Sequence, residues 1–200
     1  MIILWLLIVF VVFQIGIRVW LRVWPQRIPY GWGWLLENPW RKRYRNPAQT
    51  VAECGIAPSD TVLEIGTGSG LFSGALAASC ARLIVSDIEE RYLTDARAKV
   101  TDRRNLEFIV ADACALPLPD ASVNVVVMIS VLPEIPTPTL ALREAARVLK
   151  PGGHIVVSQE LFEPEYVPPA TTDRWARNAG LKPIQKHGDW WIYTHHYAPG

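Results

Sequence analysis

From Thr61 to Glu160 the chain alternates short apolar runs with helical stretches, and this alternation constrains its fold more than any other feature. "TVLEI" (61–65) precedes a glycine loop, "LFSGALAASCA" (71–81) is helical, "RLIVSD" (82–87) reads as a strand and "ERYLTDARAKV" (90–100) as a helix. There follow strands "LEFIVAD" (106–112) and "SVNVVVMIS" (122–130), helix "TLALREAARVLK" (139–150), the turn Pro151-Gly152-Gly153 and strand "HIVVSQE" (154–160). Apolar strands separated by helices call for a mostly parallel sheet covered on both faces. In the tail, Thr171 or Thr172 should cap a helix stopped by Gly180, and "KPIQKHGDWWIYTHHY" should form two strands joined at Gly188-Asp189. That hairpin puts one antiparallel strand into the sheet. The expected architecture is therefore α/β, a doubly wound, mostly parallel sheet of seven strands. Just upstream, Asn46, Pro47 and Gln49 supply an N-cap, a first-turn proline and a capping-box partner for a helix ending at Gly55.

The amino-terminal segment is of another kind. Met1 to Ile17 holds only Gln14 and Gly16 as non-apolar residues, and as a helix it would span about 25 Å, slightly short of a hydrocarbon core of about 30 Å. Extension to Trp24 gives about 36 Å, with Arg18 and Arg22 snorkelling to the interface. No basic residue precedes the run and the first alanine is Ala48, so a cleaved export signal is not indicated. A spanning helix is the reading adopted. Its rival is a helix lying in the interface, because Gln14, Arg18 and Arg22 share one face. Six aromatic residues (Trp20, Trp24, Tyr30, Trp32, Trp34, Trp40) crowd the next stretch, as an interfacial collar would. Between Arg18 and Arg45 stand seven basic residues against Glu37 alone. This bias places the remainder of the chain on the cytoplasmic side, and "RKRYR" (41–45) is expected to meet anionic headgroups.

Over the whole chain, 20 Lys and Arg balance 19 Asp and Glu, leaving no field that would recruit nucleic acid. Cys54, Cys80 and Cys114 are odd in number and widely spaced, which suggests packing in a reducing compartment rather than a disulfide framework or metal site. His195 and His196 are expected to be strand residues, one facing in and one out, and no metal is expected.

The loop "EIGTGSG" (64–70) joins a strand to a helix, where glycines let a ligand approach the backbone and helix amides face it. Gly66, Gly68 and Gly70 give G-x-G-x-G rather than the dinucleotide fingerprint, which has its third glycine one position later. Asp87 ends the next strand, where an acid can accept both hydroxyls of a ribose and disfavours a 2′-phosphate. Asp112 ends the following one, at the same carboxyl edge. This placement supports a nucleotide-type site.

With these residues in place, the chain from about Asp60 onward resembles the class I S-adenosylmethionine (SAM) dependent methyltransferases. "VLEIGTGSG" is similar to their first motif and "VSDIEERYLTDARAKV" to their ribose-binding segment. "VADACALPLPDASVNVVVMISVLPEI" and "LREAARVLKPGGHIVVSQE" resemble the type 11 branch that includes the ubiquinone/menaquinone C-methyltransferases. The resemblance implies a Rossmann-like methyltransferase fold in which Gly66, Thr67, Gly68, Ser69 and Gly70 form the methionine-binding loop, supported by Glu64. It also implies Asp87 at the ribose, Ile88 and Ala113 at the adenine faces, Asp112 at the adenine amino group, and Ser130 at the methionine end. An acid-rich, lysine-free site suits a sulfonium cation that carries no phosphate. No catalytic residue is assigned, and Glu134 is either a base or a solvated turn residue.

The expected organisation is an anchoring helix over 1–24, an interfacial collar over 25–46 and a methyltransferase domain over 47–200. The expected activity is methyl transfer to a small hydrophobic or lipid-like acceptor, either a quinone precursor or a phospholipid amine. Membrane lipids are then partners of a single-pass, cytoplasm-facing enzyme. A nicotinamide-dependent oxidoreductase and a non-catalytic SAM-binding membrane protein are the alternatives.

Overall fold

The computed structural model describes residues 39–100 and 104–200, together with Trp5, Ile8, Val9, Val12, Phe13 and Gly16, which are helical. The spanning helix over 1–24 and the collar up to Asn38 otherwise lie outside the described residues. Among those described, no helix is long and apolar enough to cross a membrane.

The elements run α1 (Pro39–Tyr44), α2 (Pro47–Ala52), β1 (Thr61–Ile65), α3 (Ser73–Ser79), β2 (Arg82–Asp87), α4 (Glu90–Lys99), β3 (Leu106–Val110) and β4 (Val123–Ile129). After a short 3-10 turn (Leu132–Glu134) come α5 (Pro138–Val148), β5 (Leu149–Glu160), α6 (Pro169–Asn178), β6 (Leu181–Gly188) and β7 (Ile192–Pro199). The seven strands form one sheet in the order β3-β2-β1-β4-β5-β7-β6. β1 to β5 are parallel, and β7 pairs antiparallel with both β5 and β6. The strand order reverses between β1 and β4, and this places a crevice at their carboxyl ends.

The period-two pattern of the strands divides the core into two layers. Leu63, Ile84, Val126, Met128, Ile155 and Val157 pack beneath α5 and α6 with Leu142, Val148 and Ala176. Val62, Leu83, Val85, Val125, Val127 and Val156 face the other way, against Val51, Phe72, Leu76 and Leu93. Each such side chain, withdrawn from water, contributes about 1.5 to 3 kcal/mol, so the central strands dominate the stability.

Local signals held at several element ends. The Asn46 side chain accepts from the Gln49 amide (3.1 Å) with Pro47 opening α2, and Gly180 beyond α6 has φ +82°. Three expectations are corrected. α6 begins at Pro169, and Thr172 lies inside it with its hydroxyl 2.7 Å from the Tyr193 hydroxyl, so neither threonine is the cap. Pro151-Gly152-Gly153 does not precede β5 but is looped out within it: Val123 pairs with Leu149 and Val125 with His154. His195 and His196 are both buried, because both faces of β7 are covered. His195 approaches Asp173 (3.3 Å), while His196 stacks on His154 and bonds the Glu53 carbonyl. Cys54, Cys80 and Cys114 are free thiols, and the first two donate to carbonyls one helical turn back.

Candidate active site

β1 ends in a turn that doubles back over β2. The Gly66 and Thr67 amides both donate to the Ser86 carbonyl (2.8 and 3.2 Å), which commits the loop to the carboxyl edge. A side chain at Gly66 would put its Cβ 2.3 Å from Val131 Cγ2, so the loop after β4 closes directly on it. At Gly68, φ is +49° and no atom lies within 4 Å of where a Cβ would stand. The open face there is one that a bound ligand can use.

Asp87 fixes this loop. Its Oδ2 accepts from the Gly68 amide and its Oδ1 from the Glu89 amide, each at 3.0 Å. Burial raises its pKa, opposed by the amides of Glu89, Gly68 and Ile88. Beneath the loop Glu64 accepts from the Ser73 hydroxyl (2.6 Å), which is 2.7 Å from the Thr67 hydroxyl. Burial lifts the Glu64 carboxyl to about 7, against the pull of the Ser73 bond and with the help of the nearby Asp87 charge. A carboxyl held this close to neutrality responds to a cation placed beside it.

These groups line a cavity of about 290 Å³. Of the residues expected at the site, Glu64, Gly66, Thr67, Gly68, Ser69, Asp87, Ile88, Asp112, Ala113 and Ser130 all face it. Gly70 does not. It has φ +79°, and a Cβ there would lie 2.6 Å from Ala96 Cα, so this glycine lets α4 pack against the loop. Asp112 is exposed and accepts from the Cys114 amide (2.8 Å), holding its turn as well as facing the cavity. Ser130 has a positive φ of 60°, and its buried hydroxyl faces the Glu163 carboxyl. Glu134 is half-buried in the 3-10 turn and lines the cavity, so it is not merely solvated.

The cavity also has walls that local sequence reading missed. Leu71, Phe72, Ile129, Val131, Ile135 and Pro136 make it largely apolar beyond the glycine loop. Arg41 and Glu163 close one side. Arg41 donates through Nη2 to Glu163 Oε1 (2.7 Å) and through Nε to Glu160 Oε1. Arg45 donates to the Ser158 hydroxyl, and its Nε lies 3.9 Å from Glu160 Oε2. Arg41 and Arg45 are only 6% and 2% exposed. Half of the basic run read as a headgroup contact is thus turned inward, while Lys42 and Arg43 remain exposed. The available signal was the four-residue spacing of Arg41 and Arg45, which sets both on one helix face. Burial raises the Glu163 carboxyl pKa; Arg41 opposes this, Glu160 adds to it, and the Ser130 hydroxyl opposes it.

Acidic side chains therefore dominate the charged part of the lining, from Glu64, Asp87, Glu89, Asp112, Glu134 and Glu163, with Arg41 the single cation among the described lining residues. Lys99 approaches from outside and donates to the Ser69 carbonyl (2.7 Å). An acid-lined crevice with a glycine left open toward it fits a cationic sulfonium nucleoside. It would repel a pyrophosphate.

Fold and site together resemble the class I methyltransferase type, a Rossmann-like domain that takes SAM as its cofactor. Residues 63–157 match the family described as a methyltransferase domain. A demethylmenaquinone methyltransferase of Clavibacter sepedonicus is 37% identical over 112 residues, which cover 56% of this chain and 45% of that protein. A ubiquinone/menaquinone biosynthesis C-methyltransferase of Francisella philomiragia is 30% identical over 115 residues, covering 54% and 46%. The chain thus spans less than half the length of these curated relatives. The crystal structure of a SAM-dependent methyltransferase from Aquifex aeolicus superposes with a TM-score of 0.73 at 22% identity, covering 86% of this chain and 98% of that one. The shared fold extends well beyond the matched segment.

Proposed function

We propose that this protein is a membrane-anchored, cytoplasm-facing SAM-dependent methyltransferase acting on a hydrophobic acceptor of the quinone-precursor kind. The observation that carries the reading is the cavity itself. Its lining joins the glycine loop, Asp87 and Asp112 to an apolar wall of Phe72, Val131, Ile135 and Pro136 and to the carboxyl groups of Glu134 and Glu163. The names of the relatives from Clavibacter and Francisella support a quinone-type ring over a phospholipid amine. The apolar run Met1–Ile17 and the basic residues that follow it support the anchor and its orientation.

In such a site SAM would supply a methyl group to the acceptor nucleophile, its sulfonium sulfur leaving as the neutral thioether. Asp87 holds the ribose and the loop together, so that donor position and loop conformation are set by one side chain. The open face at Gly68 and the Ser130 hydroxyl receive the methionine portion. Apolar walls exclude water and align the acceptor, and such positioning provides most of the acceleration. Glu134 and Glu163 are the carboxyl groups placed to take a proton released by the acceptor.

The test has two stages. SAM at a hundredfold excess over its Kd should stabilise the protein by about 2.7 kcal/mol and raise its melting temperature, whereas NAD should leave it unchanged. Methyl-labelled SAM incubated with purified protein and a total lipid extract should then label the quinone fraction. Label in the phospholipids would change the acceptor. SAM binding with no transfer to any lipid would leave a non-catalytic SAM-binding protein.

A further inference from the structure

Four aromatic side chains from three distant parts of the chain meet at the carboxyl edge of the sheet, with the exposed Trp190 adjoining one of them in sequence. Trp40 and Tyr44 come from α1, Phe162 from the segment after β5, and Trp190 and Trp191 from the turn between β6 and β7. Trp40 lies 4.7 Å from Tyr44 and 4.9 Å from Phe162, ring centre to ring centre. Phe162 lies 5.3 Å from Trp191, and Tyr44 stacks over Trp191 at 6.0 Å. The group is not a closed core, since Trp40 is 58%, Phe162 42% and Trp190 68% exposed. Large aromatic groups clustered in contact with water mark a surface that something covers.

We infer that this aromatic patch is a second membrane-contact surface, on the folded domain itself, which seats the mouth of the cavity at the headgroup layer of the bilayer. The inference rests on the membrane reading proposed above and goes beyond it, because Phe162, Trp190 and Trp191 lie far in sequence from the amino-terminal segment. Three observations select a bilayer as the occupant. The first is continuity: the chain carrying the apolar run Met1–Ile17 enters the described domain at Pro39, the start of α1, on this very patch. Charge is the second. Lys42 and Arg43 of α1 are exposed beside the aromatics, while Asp189, the acid of the tryptophan turn, accepts from the Trp191 and Ile192 amides. The third is chemistry, because indole rings with an apolar body and one N–H donor settle at headgroup depth.

Geometry links the patch to the site. Ile192 pairs with Glu160 across the sheet, Glu160 accepts from Arg41, and Arg41 lines the cavity with Glu163. α1 therefore presents Trp40 outward and Arg41 to the cavity wall. A domain seated by these rings would open its cavity toward the layer in which a hydrophobic acceptor resides.

The experiment uses the full-length chain in phosphatidylcholine vesicles containing phosphatidylglycerol. Cys114→Ser removes the accessible thiol, and spin labels are placed singly at Trp190→Cys, Phe162→Cys and Ser59→Cys, the last being exposed at the opposite edge before β1. Vesicle flotation is read first, then collision of each label with oxygen and with an aqueous nickel chelate. The expected result is co-flotation, with labels at 190 and 162 severalfold more accessible to oxygen than to the chelate and the label at 59 the reverse. Co-flotation with labels at 190 and 162 as open to the chelate as at 59 would overturn the patch and leave the anchor intact. Shielding from both reagents would mean that a second copy of the chain covers the rings, also overturning it. Failure to float would remove the anchor and the patch together.

Discussion

At the residue scale the site depends on carboxyl groups whose charge is adjustable. Glu64, held at about 7 mainly by burial, binds its proton more tightly in the folded chain than in the unfolded one. Its contribution to stability is therefore complete below the ordinary carboxyl range and is lost as pH rises through about 7. A cationic ligand acts in the opposite sense, favouring the carboxylate, so SAM binding should expel a proton and SAM affinity should increase as pH rises through 7. Calorimetric titrations on both sides of that pH should show this slope, and Glu64→Gln should flatten it; an equally steep slope in the variant would assign the proton to another group. Asp87→Ala should lose SAM binding and also lower thermal stability, because its oxygens hold the Gly68 and Glu89 amides at about 1.5 to 3 kcal/mol for each charged bond. Asp112→Ala should weaken SAM binding with a smaller loss of stability, since Asp112 is exposed and holds the Cys114 amide alone. Equal melting temperatures for the two variants would remove the loop-clamping role. The acids at both strand ends were legible in the sequence from their positions, whereas their bonds to the loop backbone were not.

At the element scale the glycines of the loop and the short α1 helix behave differently from what their sequences suggest. Gly70→Ala should cost more than Gly152→Ala, although both residues have positive φ near 80°. Each pays roughly 1 to 2 kcal/mol of left-handed strain, but only at Gly70 does the new Cβ strike backbone, 2.6 Å from Ala96 Cα, adding about 1 to 3 kcal/mol. Urea unfolding of the two variants checks the order. α1 reads as a basic surface run, yet Arg41→Ala should destabilise the domain by about 3 to 5 kcal/mol, because Glu160 and Glu163 would be left buried without their partner. That loss should shrink as pH falls and Glu163, whose pKa burial raises, takes up a proton. A change within about 0.5 kcal/mol at neutral pH would mean that the pair breaks even.

At the scale of the whole molecule, anchor and domain are expected to separate cleanly in their effects. Deletion of Met1 to Trp24 should leave SAM affinity nearly unchanged, since every described residue lining the cavity lies at Arg41 or beyond. Turnover on a vesicle-embedded acceptor should fall sharply while turnover in detergent micelles is retained, because the proposed anchor would confine enzyme and acceptor to one surface. Equal losses in both media would point to a soluble acceptor. The sequence by itself determined the sheet, the antiparallel hairpin, and the strand ends that carry Gly66, Gly68, Asp87 and Asp112, because apolar periods of two and 3.6 and glycine turns are local properties of the chain. Tertiary structure alone decided that Arg41 meets Glu160 and Glu163 across more than a hundred residues, that Gly70 serves packing, and that Phe162 and Trp191 join Trp40 and Tyr44. In a local window a charge or a ring reads as solvated. Its partner exists only once the topology has brought a distant strand end beside it, and burial then follows from that pairing.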